Sequence, residues 1–381
     1  MGMVPGGRIE LPHHFRYRIV SLASAWCLSS YSTLVSIDFK RNYTNNSKIS
    51  GFWYKSMYFR DLDGDQARTY IDTEQAYGAY REACDDERAF AGTMHWKTVN
   101  GHEYLYRRFT NRAESLGPRN AATESRLQEF IAAKAAAAER VTGLTDRLRV
   151  QGRLARALGI GRVPRVAVKV LEAVNAEPDL RDQVTVVGTH ALWAYETMAA
   201  VQFESEVVAT RDVDIMVDAG ARLELMGPLA GGGLLGFLQS VDRTFRRHNK
   251  LRFRAINAEG YAVDLLAPDR RFQEPRLVRT DLIPHRIDAL DELADADVIE
   301  RVVIGELGHV ITAMRVPDPR AFVRHKLWLS ERSDRGVKRR RDAMMAEAVA
   351  RLIAKHLPQY PLAPADIAGF PEAVRRELQA A

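Results

Sequence analysis

The chain contains very little cysteine. Cys27 and Cys84 are the two cysteines among 381 residues, and they stand far apart. Two isolated cysteines provide neither the paired spacing of a zinc site nor a disulfide framework. This excludes the small disulfide-stapled class of protein. It is typical of a chain kept in a reducing compartment, so we predict a cytoplasmic protein.

Long apolar runs are equally scarce. Residues 19–37 lack charge over a length that resembles a signal peptide or a short membrane span. Serine and threonine side chains interrupt this run throughout, and such hydroxyls weaken insertion into a bilayer. Export is the alternative, but we predict no membrane partner.

Charge of neither sign dominates the composition. Lys and Arg number 55 against 49 Asp and Glu, so the formal net charge is +6. A modestly basic protein suits a polyanionic substrate, although charge alone does not identify one. The length is sufficient for more than one domain and a sizeable core.

The pattern of residues changes along the chain at three places. Residues 1–60 are rich in Ser, Tyr and Asn and lack periodicity, which predicts a poorly ordered extension. A segment upstream of the true start codon is the alternative. Residues 61–180 are mainly helical, residues 181–316 alternate strands with helices, and residues 317–381 are helical again. The sequence therefore predicts an α+β fold in which N-terminal and C-terminal helical regions flank a small mixed β-sheet.

Within the first helical region, the segment 92–106 is predicted to form strands. Asn100-Gly101 is a strong hairpin-turn signal at its centre. Residues 115–119 are predicted to be a loop.

Gly188-Thr189 stands between a predicted strand, 184–187, and a predicted helix. A glycine at such a junction lets a phosphate approach the backbone, and the helix N-terminus offers free N–H groups and a positive dipole end. Thr189 adds a hydroxyl donor. Because strand–glycine–helix junctions occur in every α/β protein, a purely structural turn is the alternative.

Asp212 and Asp214 belong to a predicted strand, 212–217, whose remaining residues are apolar. Residues two apart in a strand point to the same face, so the two carboxylates lie side by side and repel each other. A magnesium ion, which prefers oxygen ligands, relieves that repulsion. A solvated edge strand is the alternative. Asp218 would lie roughly 13 Å along the strand from Asp214, too far to join the same cluster.

Asp264 is a single carboxylate inside an apolar strand, 261–266. This strand and 251–256 flank residues 257–260, which predicts a hairpin. Burying an unpaired carboxylate is costly, and a third metal-facing position accounts for it. A salt-bridged core aspartate is the alternative.

The order Gly188-Thr189, Asp212-x-Asp214 and then Asp264 resembles the DNA-polymerase-β-like nucleotidyltransferase superfamily. More narrowly, it is similar to a bacterial group of nucleotidyltransferase-fold proteins. The matching pieces are residues 187–196, 209–215 and 257–265, and the resemblance covers about residues 70–355. It implies that residues 181–316 form the catalytic palm. The superfamily has Gly-Gly or Gly-Ser at the phosphate turn, whereas Thr189 here adds bulk and alters the expected geometry.

The resemblance also implies a reaction. A nucleoside monophosphate would pass from a nucleoside triphosphate to an acceptor, with release of pyrophosphate and with two Mg²⁺ ions, or Mn²⁺, as cofactors. Asp212 and Asp214 would hold both ions, and Asp264 would complete the one that activates the acceptor hydroxyl. Gly188 and Thr189 would bind the β- and γ-phosphates.

Basic residues follow the predicted palm. Lys326 lies on a predicted helix with Arg332 beyond it, and Lys338 to Arg341 form a run. The pattern also resembles minimal nucleotidyltransferases among abortive-infection toxins, which implies that Lys326, with Arg332 nearby, binds the triphosphate. A solvated basic helix is the alternative.

Two other functions remain open at this stage. One is a non-catalytic nucleotide-binding or RNA-binding module on the same fold. The other is a toxin-type nucleotidyltransferase that modifies transfer RNA. The acceptor is equally open between RNA, protein and a small molecule.

Overall fold

The computed structural model describes residues 58–217, 233–270 and 281–380. Most of the predicted extension lies outside these ranges, and so do Cys27, Asp218 and residues 19–37. Cys84 carries a free thiol. In the described parts of the chain, no helix combines the length and the apolar character that crossing a bilayer requires.

A short strand stands at the predicted boundary at residue 60. Phe59–Asp61 form strand β1, which pairs antiparallel with β6, Val201–Phe203. The Phe59 ring meets the Phe203 ring edge-on at 5.9 Å, and the Asp61 carboxylate accepts a 3.0 Å hydrogen bond from Lys355. The predicted boundary therefore cuts through a strand. Three residues are too short a run for an alternating pattern to show in the sequence.

Two long helices, α1 (Gly64–Ala89) and α2 (Ala121–Ala157), pack against each other. Between them the chain forms an antiparallel sheet of β2 (Thr93–Val99), β3 (His102–Arg108) and β4 (Ala113–Pro118), with β3 in the centre. The region predicted as mainly helical thus contains a three-stranded sheet.

The hairpin turn in this sheet is where the sequence placed it. Asn100 and Gly101 connect β2 to β3 with φ angles of 51° and 81°, as the left-handed conformation of this turn requires. The predicted loop at 115–119 is wrong, because most of it belongs to β4. Backbone pairing with β3 determines that strand, and its own sequence carries no strand pattern.

A mixed sheet lies at the centre of the region 184–287, in agreement with the prediction. Its strand order is β5-β7-β10-β9-β8, and β11 pairs with β10. The strands are β5 (Val184–Val187), β7 (Asp212–Val217), β8 (Arg246–Arg247), β9 (Arg254–Ile256), β10 (Ala262–Pro268) and β11 (His285–Ile287). Strands β7 and β10 are parallel, whereas β5 and β9 run antiparallel to their neighbours.

Apolar side chains of this sheet form part of the main core. Val213, Ile215, Val263 and Leu265 are buried, and they alternate with the aspartates along β7 and β10. The helices of the region are α3 (Arg165–Ala176), α4 (Pro178–Arg181), α5 (Ala191–Ala199), α6 (Ser205–Val208) and α7 (Gly233–Val241). Side chains of α3 and α7 pack over this apolar face. Strict alternation therefore directs the aspartates to the opposite face.

The rest of the chain adds a hairpin and a group of helices. After the short helix α8 (Asp291–Asp295), strands β12 (Val298–Ile304) and β13 (Ile311–Pro317) pair antiparallel. The C-terminal helices are α9 (Pro319–Glu331), α10 (Lys338–His356), α11 (Pro364–Ile367) and α12 (Glu372–Ala380). Ser56–Ala381 forms one compact unit, so the finer division at residues 180 and 316 stays a prediction. Mixed helices and small sheets are consistent with the predicted α+β class.

Candidate active site

A sharp turn brings the backbone after β5 against a carboxylate of β7. Gly188–His190 form a single 3₁₀ turn that leads into α5. Gly188 has a φ of +67°, and a Cβ at this position would lie 2.2 Å from Oδ2 of Asp214. Only glycine permits both the left-handed backbone and this close approach. The turn and the carboxylate are therefore a matched pair.

The three predicted aspartates share one face of the sheet. Asp214 lies opposite Asp264 in the parallel pairing of β7 and β10, and Asp212 is two residues earlier on β7. Burial, with the charges of Asp212 and Asp264, raises the pKa of Asp214 to about 7, although Lys326 and Arg254 act in the opposite direction. The carboxylates therefore form one electrostatic cluster with excess negative charge at Asp214.

Arg254 belongs to this cluster, and the sequence analysis missed it. Its Nε and Nη2 atoms donate hydrogen bonds of 2.6 and 2.5 Å to the two carboxylate oxygens of Asp264. The same Nη2 lies 3.7 Å from Oδ2 of Asp212. Asp264 is only 5% exposed. The alternative considered for this residue, a salt-bridged core aspartate, is the arrangement that the structure contains.

Two of the three aspartates suit a metal ion, and the third does not. In the described ranges, no group of three His, Cys, Asp or Glu side chains is placed to hold one ion. Asp212 and Asp214 offer adjacent oxygen donors, and the raised pKa of Asp214 shows that its charge is not fully compensated. These two residues suit a hard divalent cation. Asp264 does not, because both of its oxygens accept hydrogen bonds from Arg254.

His190 packs within the protein, next to the turn. It is fully buried, and its Nε2 lies 2.7 Å from the Tyr261 hydroxyl. Burial lowers the pKa of His190 to about 4 in spite of the nearby Asp212 charge. The imidazole is therefore neutral at physiological pH and ties the turn to the start of β10.

The Thr189 hydroxyl faces the C-terminal helices. It donates to the Met345 sulfur on α10 at 3.6 Å, and the residue is only 9% exposed. A phosphate at this turn would therefore meet backbone N–H groups rather than this hydroxyl. The role of Thr189 in phosphate binding stays a prediction.

Lys326 is buried rather than solvated. Its Nζ donates to Asp342 at 3.1 Å, and Arg335 donates to the other oxygen of Asp342 at 2.9 Å. Burial lowers the pKa of Lys326, while Asp342 and Asp214 oppose that change. The solvated-helix alternative is wrong for this residue. The ammonium group lies within electrostatic reach of the aspartate cluster.

Arg332 has a different environment. It is exposed after the end of α9, pairs with Asp334 at 3.0 Å and stacks over the Trp328 ring at 4.7 Å. Within the described part of the chain, Arg332 makes no ion pair with any of the three aspartates. The sequence also did not reveal the position of Arg341. Its guanidinium donates to the Ala209 carbonyl, a few residues before β7.

With this geometry established, comparison with known proteins identifies the family. The model of a nucleotidyltransferase family matches residues 165–367, slightly more than half of the chain. The chain belongs to this nucleotidyltransferase family. The matched span contains Gly188, Asp212, Asp214, Asp264 and Lys326, and membership indicates a nucleotide substrate and transferase activity. No curated protein matches the chain, and no solved structure does.

Proposed function

We propose that this nucleotidyltransferase moves a nucleoside monophosphate from a nucleoside triphosphate to an acceptor and releases pyrophosphate. One observation carries the proposal. The Gly188 turn lies against Asp214, while Asp212 and Asp264 share its face of the sheet. A backbone turn that can receive phosphate thus adjoins a carboxylate cluster that can bind cations.

A divalent cation, Mg²⁺ or Mn²⁺, is the proposed cofactor. Asp212 and Asp214 would hold it, and when bound it would offset the negative charge of the triphosphate. The scheme with two ions also needs Asp264, which is bonded to Arg254. We therefore assign no part of the reaction to a second ion.

The residues of the chain itself account for binding and orientation. Backbone N–H groups at the Gly188 turn, together with the N-terminal end of α5, would receive the phosphates. Lys326 adds positive charge from the side of α9. Because burial raises the pKa of Asp214 to about 7, a cation held by this carboxylate would have to displace only a weakly held proton near neutral pH.

A non-catalytic nucleotide-binding module is the second candidate function. The bidentate contact between Arg254 and Asp264 favours it, because a carboxylate already satisfied by arginine has no need of metal. The excess charge at Asp214 argues against it, because a protein that only binds nucleotide gains nothing from two adjacent carboxylates that repel each other.

The test is direct nucleotide transfer. The full chain is incubated with each labelled nucleoside triphosphate, magnesium and total cell RNA, with cell protein and small-molecule extracts as separate acceptors. We expect label transfer and pyrophosphate release, both lost in Asp212→Asn and in Asp214→Asn, because these two residues would hold the cation. Nucleotide binding without turnover in any arm would instead support the non-catalytic module.

A further inference from the structure

The sheet β2–β3–β4 has two unlike faces. On the inner face, Leu105 is fully buried, and the Arg107 guanidinium lies 5.2 Å from the Phe130 ring of α2. Residues alternate between the faces along each strand. The inner face therefore packs against α2, and the outer face carries the intervening residues.

Cations on the inner face are matched by protein groups. Arg107 donates to the carbonyls of Ala89 and Ala91. Arg119 pairs with the carboxylates of Glu103 and Glu124, each at 2.8 Å. These arginines have structural roles.

The outer face is basic and aromatic. Its residues are His95 and Lys97 on β2 and His102, Tyr104, Tyr106 and Arg108 on β3. The tyrosines are half-buried, and the other four residues are exposed. None of the strand residues on this face is acidic, and neither Lys97 nor Arg108 forms an ion pair within the described ranges. The inner-face arginines thus have protein partners, whereas within the described ranges Lys97 and Arg108 have no acidic partner.

The two tyrosines lie side by side on the central strand. Their partners on β4 are Pro118 for Tyr104 and Ser115 for Tyr106, neither of them charged. Both tyrosines keep part of their surface exposed to solvent. Lys97 holds its ammonium 5.2 Å from the centre of the Tyr106 ring. Rings and cations therefore occur within a single patch.

We propose that this outer face binds single-stranded nucleic acid. Bases would stack on Tyr104 and Tyr106, while Lys97 and Arg108 would contact the phosphates on either side. Half-exposed aromatic rings beside cations that form no ion pair in the described ranges meet the two needs of an unpaired strand, a stacking platform and a basic track. A polyanion without bases would satisfy the cations alone, and the heparin arm of the test below measures that alternative. The proposed binding does not depend on nucleotide transfer. Only the further step, in which the bound strand acts as the acceptor, rests on the proposed function.

Fluorescence anisotropy with labelled oligonucleotides of about 12 residues tests the proposal, because that length covers one such site. RNA and DNA versions of one sequence separate the two sources, and heparin supplies a polyanion without bases. We expect the full chain to bind a single strand more tightly than a duplex. Tyr104→Ala and Tyr106→Ala should each weaken binding about tenfold, whereas Tyr106→Phe keeps the ring and should retain the affinity.

The charge arm uses matched variants. Lys97→Gln should lower the slope of log affinity against log salt by about one. Arg126→Gln, an exposed arginine of α2, removes the same charge elsewhere and should leave affinity and slope unchanged. Thermal melts confirm that each variant is folded.

Three results would overturn the proposal. They are unchanged affinity in the tyrosine-to-alanine variants, equal losses in Lys97→Gln and Arg126→Gln, and equal affinity for heparin and the oligonucleotide. Asp212→Asn keeps the two proposals apart. It should bind the strand normally while transferring no nucleotide, so loss of transfer alone says nothing against the outer face.

Discussion

At the scale of single residues, we propose that Arg254 limits the number of cations that the aspartate cluster could accept. Its guanidinium satisfies both oxygens of Asp264 and lies near Asp212. A fixed positive charge here reduces the attraction for a second metal ion and occupies one of its ligands. Arg254 thus takes the place that the family resemblance assigned to an ion.

We therefore expect about one Mn²⁺ ion per chain in calorimetric titration without nucleotide, and about two for Arg254→Met, because two-metal sites share bridging carboxylates. The double variant Arg254→Met/Asp264→Asn is the control and should return to about one. Two ions in the unaltered chain would show that the guanidinium yields to metal.

The raised pKa of Asp214 makes the stability of the folded chain depend on pH. Its pKa is raised to about 7 in the folded chain, against roughly 3.9 in an unfolded one. The folded state therefore holds a proton that the unfolded state has lost, and stability falls as pH rises between these two values.

Asp214→Asn should accordingly stabilise the protein at pH 8 and have little effect near pH 4. The gain expected at pH 8 is at most about 4 kcal/mol, because one pKa unit corresponds to about 1.4 kcal/mol, and it should appear as an increase of several degrees in Tm. Calorimetric melts at both pH values measure this gain. Asp212→Asn serves as the comparison, because Asp212 has the more exposed carboxylate. A gain of equal size at both pH values would contradict the raised pKa.

At the scale of elements, the hairpin between β9 and β10 explains why Arg254 escaped the sequence analysis. The two strands were predicted, but a loop at 257–260 would place Arg254 opposite Val263. In the structure Tyr261 joins the loop, because the Asn257 side chain accepts its N–H at 2.8 Å. A shift of one residue reverses the faces, so Arg254 meets Asp264 instead.

Local patterns elsewhere were sufficient. Alternation along 212–217, the Asn100-Gly101 turn and the helical character of residues 317–381 are each encoded within a few neighbouring residues, and the structure confirms them. Features that depend on distant partners were not predictable. Strand β1 exists because β6 pairs with it, and Lys326 is buried because Asp342 and Arg335 enclose it.

The β1 contacts make a prediction about truncation. A chain that begins at Ser56 should keep its Tm within a few degrees, because the predicted extension contributes little. A chain that begins at Asp63 loses the pairing with β6, the Phe59 ring contact and the Asp61–Lys355 ion pair. It should lose roughly 2–3 kcal/mol and melt several degrees lower. Equal melting of the two chains would show that β1 adds no stability.

At the scale of the whole molecule, Lys326 connects the C-terminal helices to the central sheet. It lies on α9 and donates a hydrogen bond to Asp342 on α10, and the charge of Asp214 on β7 acts to raise its pKa. Lys326 can therefore serve the fold, nucleotide binding or both. A single substitution does not separate these roles, because removing one partner of a buried pair is strongly destabilising.

Lys326→Met should cost about 3–5 kcal/mol, because Asp342 then keeps only Arg335. Lys326→Met/Asp342→Leu removes both charges and should recover most of the lost Tm. Calorimetry of nucleoside triphosphate binding to the double variant then isolates the other role. If Lys326 holds the triphosphate, affinity falls although the fold is restored. Unchanged affinity would make it a purely structural residue.

The contact between Gly188 and Asp214 also limits how this site can change by descent. Any side chain at 188 would occupy the space of the Asp214 carboxylate. Loss of the glycine therefore disables the acid, and loss of the acid removes the need for the glycine. The two positions should decay together. A descendant with a larger residue at 188 is expected to have abandoned the chemistry, and its residue at 214 is then free to drift.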